Sequence, residues 1–372
     1  MAVLTADEAE ASARAHERET PSWPRLCLSA RQWLVAAALL LSVFAVTPAV
    51  WSRFEPLDQD PDHRIARALN TDYWQIGRYC RQAAVQGRVM LLGDSLVWGQ
   101  YVGRKETLGH YLNRMAGEAR FANLGLDGGH PAALAGLIEY HGDAIAGCRV
   151  IVHCNPLWMR SARHDLSGVP GTSVHHDRLV PQFVQPPPAY RASWAHRAGT
   201  VLEREVPFFG WAHHLRATRL GQAALPMWTL ESPYRLPPAD PGQGPGHDAA
   251  SRPGGGPAPL AIAWVDPDES YQWRSFRRAI RRLRERGNEV FVVLGPINEH
   301  ALAPECRRRY EGLRAAMALW LTEHWVPHAV PAALPAELYA DAGHPLAEGY
   351  ALLAARLYDD AGFRRFVGAD GP

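Results

Sequence analysis

Residues Arg88–Ser95 read RVMLLGDS, four apolar residues running into a Gly-Asp-Ser turn. A continuous apolar run this short, closed by a turn, is the pattern of a strand buried on both faces. The stretch RKETLGHYLNRM that follows places Leu108, Tyr111, Leu112 and Met115 at helical spacing. Moving outward, ARFANLGL reads as a second strand, PAALAGLIEYH as a helix and CRVIVHCN as a third strand. The rhythm breaks over residues 160–262, where proline, glycine and histidine are frequent and periodicity is weak. It resumes with a helix in SYQWRSFRRAIRRLRERG, a fourth strand in NEVFVVLGP, and helices in PECRRRYEGLRAAMALWLTEHW and LAEGYALLAARLYDDAG. Apolar strands alternating with helices predict an α/β fold with a mainly parallel sheet covered on both faces. In such sheets ligands bind at the carboxyl ends of the strands, so chemistry is to be sought just after each one.

The chain has 372 residues, 47% of them hydrophobic, and a net charge of +1. That is ordinary globular composition, with no global field favouring nucleic acid. The basic run around Arg277-Arg278 and Arg281-Arg282 reads as the solvated face of a helix. Residues Trp33–Trp51 carry no charge and are bracketed by tryptophans. At about 1.5 Å per residue the run just crosses a hydrocarbon core of about 30 Å. It reads as a membrane anchor, with a cleaved signal peptide or a buried helix as the alternatives. Arg25 and Arg31 precede it closely and only Arg53 follows, a bias that puts the amino terminus in the cytoplasm. The expected organisation is a tail over 1–32, the anchor over 33–51, a connector over 52–87, and a domain over 88–368 carrying the 160–262 insertion. The five cysteines form no CxxC pair and no zinc-type spacing. Cys148 and Cys154 are separated by a strand of roughly 20 Å, too far for a disulfide. A Cys80–Cys306 pairing is left open.

Four places carry residues suited to acyl chemistry. Ser95 stands between a strand and a helix, where the hydroxyl is exposed and helix-terminal N–H groups are free. The glycines of NLGLDGGHP, Gly128 among them, permit a backbone N–H to point at the same place. Asn155, after the third strand, offers an amide N–H to a developing oxyanion. Asp341 and His344 lie three residues apart ahead of the last helix. His344 is suited to take the serine proton as general base, and Asp341 to hold its tautomer. Each has an ordinary alternative: a helix cap for Asp94-Ser95 and for Asp341, a turn for the glycines and for Asn155. The combination is more telling than any one of them. His175-His176 and His213-His214 in the insertion read as solvated loop histidines rather than metal ligands. Trp158 and Met159 suit either the cleft or the core, and His300 follows the fourth strand with no role assigned.

With these residues in place, the chain resembles the SGNH hydrolase superfamily, also called GDSL-like lipases and esterases. The resemblance rests on Gly93–Leu96 as the GDSL block, on Asn123 followed by Gly128, on Asn155, and on Asp341-x-x-His344. It covers roughly residues 88–160 and 265–365. The third block departs from the family's frequent Gly-x-Asn-Asp, reading His153-Cys154-Asn155-Pro156, so those two residues are expected to reshape the acyl pocket. The resemblance implies a flavodoxin-like three-layer α/β/α sandwich and a catalytic Ser95, His344 and Asp341. It implies an oxyanion hole of the Ser95 and Gly128 N–H groups with the Asn155 side chain, and neither cofactor nor metal. Membrane-tethered members act on cell-surface or exported polysaccharides. The expected activity is therefore esterase action on O-acylated glycans outside the cytoplasm, in a Gram-negative cell on the periplasmic side of the inner membrane. The alternatives are a polysaccharide O-acetyltransferase with the same site and a non-catalytic glycan-binding assembly protein. The stretch 236–258 is expected to act as a lid.

Overall fold

A computed structural model of the chain describes residues 28–57, 64–168, 170–171, 173–219 and 259–369. Within it, five strands form one all-parallel sheet: β1 (Val89–Gly93), β2 (Phe121–Gly125), β3 (Arg149–Cys154), β4 (Glu289–Leu294) and β5 (His328–Ala329). Their order is β2-β1-β3-β4-β5. The register pairs Val89 with Phe121, Met90 with Val150 and Arg149 with Glu289. All five residues of β1 are buried, as are the last five of β3 and of β4. That is why these strands are continuously apolar rather than alternating.

Neighbouring residues of one strand feed opposite sides. Met90 and Leu92 join a core with Ile76, Leu137, Phe276, Ile280 and Met317. Val89 and Leu91 join another with Leu112, Phe121, Tyr350, Leu353 and Phe363. On the first side lie helices α2 (Tyr73–Val85), α5 (Pro131–Tyr140), α8 (Tyr271–Glu285) and α9 (Pro304–Glu323). On the second lie α4 (Leu108–Ala116), α10 (Ala347–Asp359) and α11 (Ala361–Val367), with the single-turn α3 (Ser95–Trp98) after β1. The result is a three-layer α/β/α sandwich in the flavodoxin-like 2-1-3-4-5 order. The order switches direction at β1 and β3, and a crevice forms at such a switch.

Local chemistry sets the helix ends. Ser270 caps α8 by accepting from the Trp273 N–H at 3.0 Å, while its own hydroxyl donates to buried Asp165. The apolar face of α8, with Trp273, Phe276, Ile280 and Leu283, is buried, each side chain contributing about 1.5–3 kcal/mol of transfer free energy. The last helical stretch is two helices, because Asp360 interrupts it and caps α11 through the Phe363 N–H at 2.7 Å.

The connector, expected to hold some helix, contains α2, and its Ile76, Tyr79, Cys80 and Ala83 are core residues. The insertion is not wholly irregular, since it forms α6 (Trp194–Glu205) and α7 (Pro207–Arg219). Its 236–258 stretch, the expected lid, lies outside the described residues, as do the amino-terminal tail and Cys27. Cys80, Cys148, Cys154 and Cys306 are all free thiols, so Cys80 and Cys306 do not pair.

By its contacts the chain divides into Met1–Thr47 and Pro48–Pro372. Helix α1 (Ala30–Phe54) contains the apolar run and has a mean hydropathy of 2.2 over its most apolar window. Trp33, Leu34, Leu39, Leu40 and Leu41 are exposed around it. Its 25 residues rise about 37 Å, so it is long and apolar enough to span a membrane.

Candidate active site

Ser95, Gly128, Asn155 and His344 all follow strands or the loops beyond them, and the sheet's carboxyl edge gathers them. Ser95 begins α3 immediately after β1, and the turn is built to fit. A Cβ at Gly125 would stand 2.2 Å from the Trp98 backbone nitrogen, so only glycine lets β2 pass this close to α3. The short helix is held from three directions. The Asn123 amide donates to the Val97 carbonyl at 2.8 Å, the Tyr350 hydroxyl to the Leu96 carbonyl at 2.9 Å, and the Trp98 indole to the Ile65 carbonyl at 2.8 Å.

His344 lies 249 positions further along the chain, and its Nε2 is 2.7 Å from the Ser95 Oγ. Its Nδ1 is 2.8 Å from both carboxylate oxygens of Asp341. An Nδ1 facing a carboxylate carries the proton, so in the neutral ring Nε2 accepts from the serine hydroxyl. Asp341 also accepts from the Gly343 N–H at 2.8 Å and the His344 N–H at 2.9 Å, which fixes the carboxylate against its own loop. Burial disfavours the Asp341 charge, but these bonds and the adjacent His344 outweigh it and hold the carboxyl below its ordinary value. Burial likewise pulls His344 down, and the Asp341 hydrogen bond and charge, with the fields of Asp94 and Asp127, raise it above 6.5. The ring of Tyr101 meets His344 edge-on, with centroids 5.5 Å apart.

The other two sequence candidates join the same place. Gly128 has φ 72°, a backbone that glycine favours, and an added Cβ at Gly129 would stand 3.3 Å from the Asp94 Cα. Neither the Ser95 N–H nor the Gly128 N–H has an acceptor among the described residues. The Asn155 amide donates to the Asp94 Oδ2 at 2.7 Å, and its oxygen accepts from the Leu157 N–H at 3.0 Å. A Cβ at Gly343 would be 3.9 Å from the Asn155 Nδ2, so the third and last motifs touch.

Beneath this layer lies Asp94, which caps α3 as the sequence offered and has further partners that the sequence did not show. Asp94 is 2% exposed and accepts from the Leu96 N–H, from Asn155, and from the His153 Nδ1 at 3.2 Å. The His153 Nε2 contacts the Gly295 carbonyl at 3.1 Å, so both ring nitrogens face acceptors. Burial would raise the Asp94 carboxyl, but the His153 bond and charge, then Asn155 and His344, keep it below 3.8. His153 therefore supports the nucleophile turn and does not shape an acyl pocket, and Cys154 is fully buried in the core. The Gly128 loop has its own clamp. Asn70 exchanges two hydrogen bonds with the Asp127 backbone at 2.6 and 3.0 Å, and the His176 Nε2 meets the Asp127 carbonyl at 2.9 Å.

Of the insertion histidines, His176 and His214 are thus buried and bonded rather than solvated, His214 lying between Asp72 at 2.6 Å and Glu55 at 2.9 Å. His300 contacts the Leu334 carbonyl at 3.1 Å, and Trp158 and Met159 pack on the core. No family model and no curated protein matches this chain. A serine hydroxyl bonded to a histidine, with the histidine bonded to a carboxylate, is an arrangement able to activate the serine for attack on a carbonyl.

Proposed function

We propose that the protein is an SGNH-type serine esterase, tethered to a membrane by α1, that hydrolyses acyl esters of cell-surface or exported glycans outside the cytoplasm. The observation that carries the chemistry is the Ser95 Oγ–His344 Nε2 contact of 2.7 Å, continued to Asp341 at 2.8 Å. In the proposed reaction the Ser95 oxygen attacks the ester carbonyl while its proton passes to the His344 Nε2. The oxyanion accepts from the Ser95 and Gly128 N–H groups and the Asn155 amide. Collapse breaks the acyl–oxygen bond, and His344 returns the proton to the departing alcohol. Water, deprotonated by His344, then attacks the acyl-Ser95, and the acid leaves as Ser95 regains its proton. Asp341 keeps the ring oriented and its charge compensated throughout. Support for a glycan is indirect: the resemblance of the four motifs, and a membrane helix whose flanking arginines favour an external domain.

If a sugar hydroxyl replaces water in the second step, the same groups make an O-acyltransferase. The test uses the full chain in neutral detergent with a fluorophosphonate probe, p-nitrophenyl acetate, and a glycan acceptor in parallel. Labelling and acetate release that disappear in Ser95→Ala are expected. Acetyl appearing on the glycan would favour the transferase. Equal inertness of folded wild type and Ser95→Ala would overturn the enzymatic reading in favour of a glycan-binding role.

A further inference from the structure

The basic run on α8 reads in the sequence as a solvated face, yet in the fold it lines a groove. Arg274, Arg277, Arg281 and Arg284 recur every three or four residues, with Arg278 four after Arg274, so they share one side of α8 while the opposite side is buried. Trp320 and His324 of α9 make the facing wall, and the groove encloses about 630 Å³. Its one carboxylate, Glu285, is engaged by Arg282 at 3.6 Å. Arg274 donates to the Glu269 carbonyl at 2.9 Å and Arg284 to the His324 carbonyl at 2.7 Å, which holds both ends of the row in place. Between them, the Arg277 guanidinium lies over the Trp320 ring at 6.0 Å, and Arg278 and Arg281 make no ion pair among the described residues. Like charges at this spacing destabilise a helix, so the row carries a cost that an external anion would relieve. Burial, then Arg274 and Arg281 against the opposing Asp268, moves the Arg277 guanidinium below its ordinary value.

We propose that this groove between α8 and α9 binds the chain of a carboxylated polysaccharide, and that the glycan acted on by the protein is therefore anionic. The inference rests on the proposed reading of Ser95 for its link to catalysis, but not for binding. Guanidinium groups pair with carboxylates through two parallel N–H bonds, and a row of them fits a polymer with regularly repeated charge. The concave shape suits a chain and excludes the flat face of a bilayer. Single-stranded nucleic acid is disfavoured because Trp320 offers no open ring: it stacks on His324 at 4.1 Å and meets the Trp273 ring at 5.5 Å. Helix α8 runs back from the sheet's carboxyl edge, where its capping Ser270 holds Asp165 and its Gln272 contacts His130. The row thus starts on the side of the molecule that carries Ser95.

The experiment is titration calorimetry on the full chain in uncharged detergent, with polygalacturonate, with neutral dextran of similar length, and separately with phosphatidylglycerol vesicles. Wild type and Ser95→Ala are expected to bind polygalacturonate alike, not dextran, and more weakly as salt rises. Arg277→Gln/Arg278→Gln/Arg281→Gln should weaken that binding about ten-fold or more, while Arg308→Gln/Arg309→Gln, an exposed pair outside the groove, stays within about two-fold. Circular dichroism and Tm of the triple variant report that it is folded, and its p-nitrophenyl acetate turnover should be unchanged. Undiminished binding by the folded triple variant, equal binding of dextran, or arginine-dependent binding of the vesicles without the glycan would overturn the proposal. Failure of the esterase reading would instead remove p-nitrophenyl acetate turnover from wild type and leave the titration intact.

Discussion

The His344–Asp341 contact makes two predictions about single residues. Asp341→Asn removes the acceptor that fixes Nδ1 as the protonated nitrogen, so Nε2 ceases to be the acceptor for Ser95. The comparable change in a serine protease triad lowers kcat by about 10⁴. Here, with Asp341 40% exposed and water able to substitute in part, kcat for p-nitrophenyl acetate is expected to fall by roughly 10³–10⁴ with KM little changed. The sign of the pH dependence follows from His344. Its pKa is raised above 6.5, and only the neutral ring accepts the serine proton, so kcat/KM should increase with pH and half-saturate above 6.5. A flat profile from pH 6 to 8 would remove His344 as the base. One layer down, His153→Phe leaves the buried Asp94 carboxylate without one of its donors. Leaving a buried acceptor without one of its donors costs about 1–3 kcal/mol, readable by urea unfolding. A lowered kcat at unchanged KM in the same variant would show that Asp94 positions Asn155 and the Ser95 turn.

At the scale of elements, β2 passes close against α3 at Gly125. Gly125→Ala would press a Cβ against the Trp98 backbone, which cannot swing aside as a side chain would. The expected cost is roughly 1–3 kcal/mol, with α3 displaced and activity falling further than stability. Equal Tm and turnover in that variant would refute the tight seating of the nucleophile turn. The elements also explain what was legible from sequence. β1, β3 and β4 were, because strands buried on both faces are written as unbroken apolar runs, and Ser95 and Asn155 stood just after two of them, while Asp341 and His344 were marked by their three-residue spacing ahead of the last helix. The two-residue β5 was not, being too short for a periodic signal. Nor were α6 and α7, in which the only buried residues are Thr200, His214 and Ala217, so no apolar stripe marks them. They are held largely by polar contacts, such as Arg204 to the Val180 carbonyl and His214 to Asp72. The support of the site was hidden for a related reason. His153 on Asp94 and Asn70 on Asp127 bridge 59 and 57 positions, and no local pattern records such pairings.

For the whole molecule, three histidines outside the site make stability depend on acidity. Burial lowers His130, His141 and His213 to about 4, opposed at His130 by its bond to the His175 carbonyl, and aided by Arg204 at His141 and by Arg178 at His213. A histidine whose folded pKa lies below its unfolded value binds fewer protons in the folded state. Its contribution to stability is present above about 6.5 and is lost as pH falls toward 4. His344 acts in the opposite sense, since its raised pKa favours the folded state most below 6.5 and that contribution is lost on going through the raised value. Burial also lowers His164 and His176, so five lowered groups against one raised group leave proton uptake on unfolding dominant in this range. Asp94 and Asp341, held below 3.8, titrate only afterwards. Urea midpoints for the full chain should therefore decline steadily from pH 6.5 to 4, and His141→Gln with His213→Gln should flatten the decline. Midpoints that hold constant to pH 4 would mean that these rings are protonated in the folded protein, and that α6 and α7 enclose them less tightly than their buried positions require.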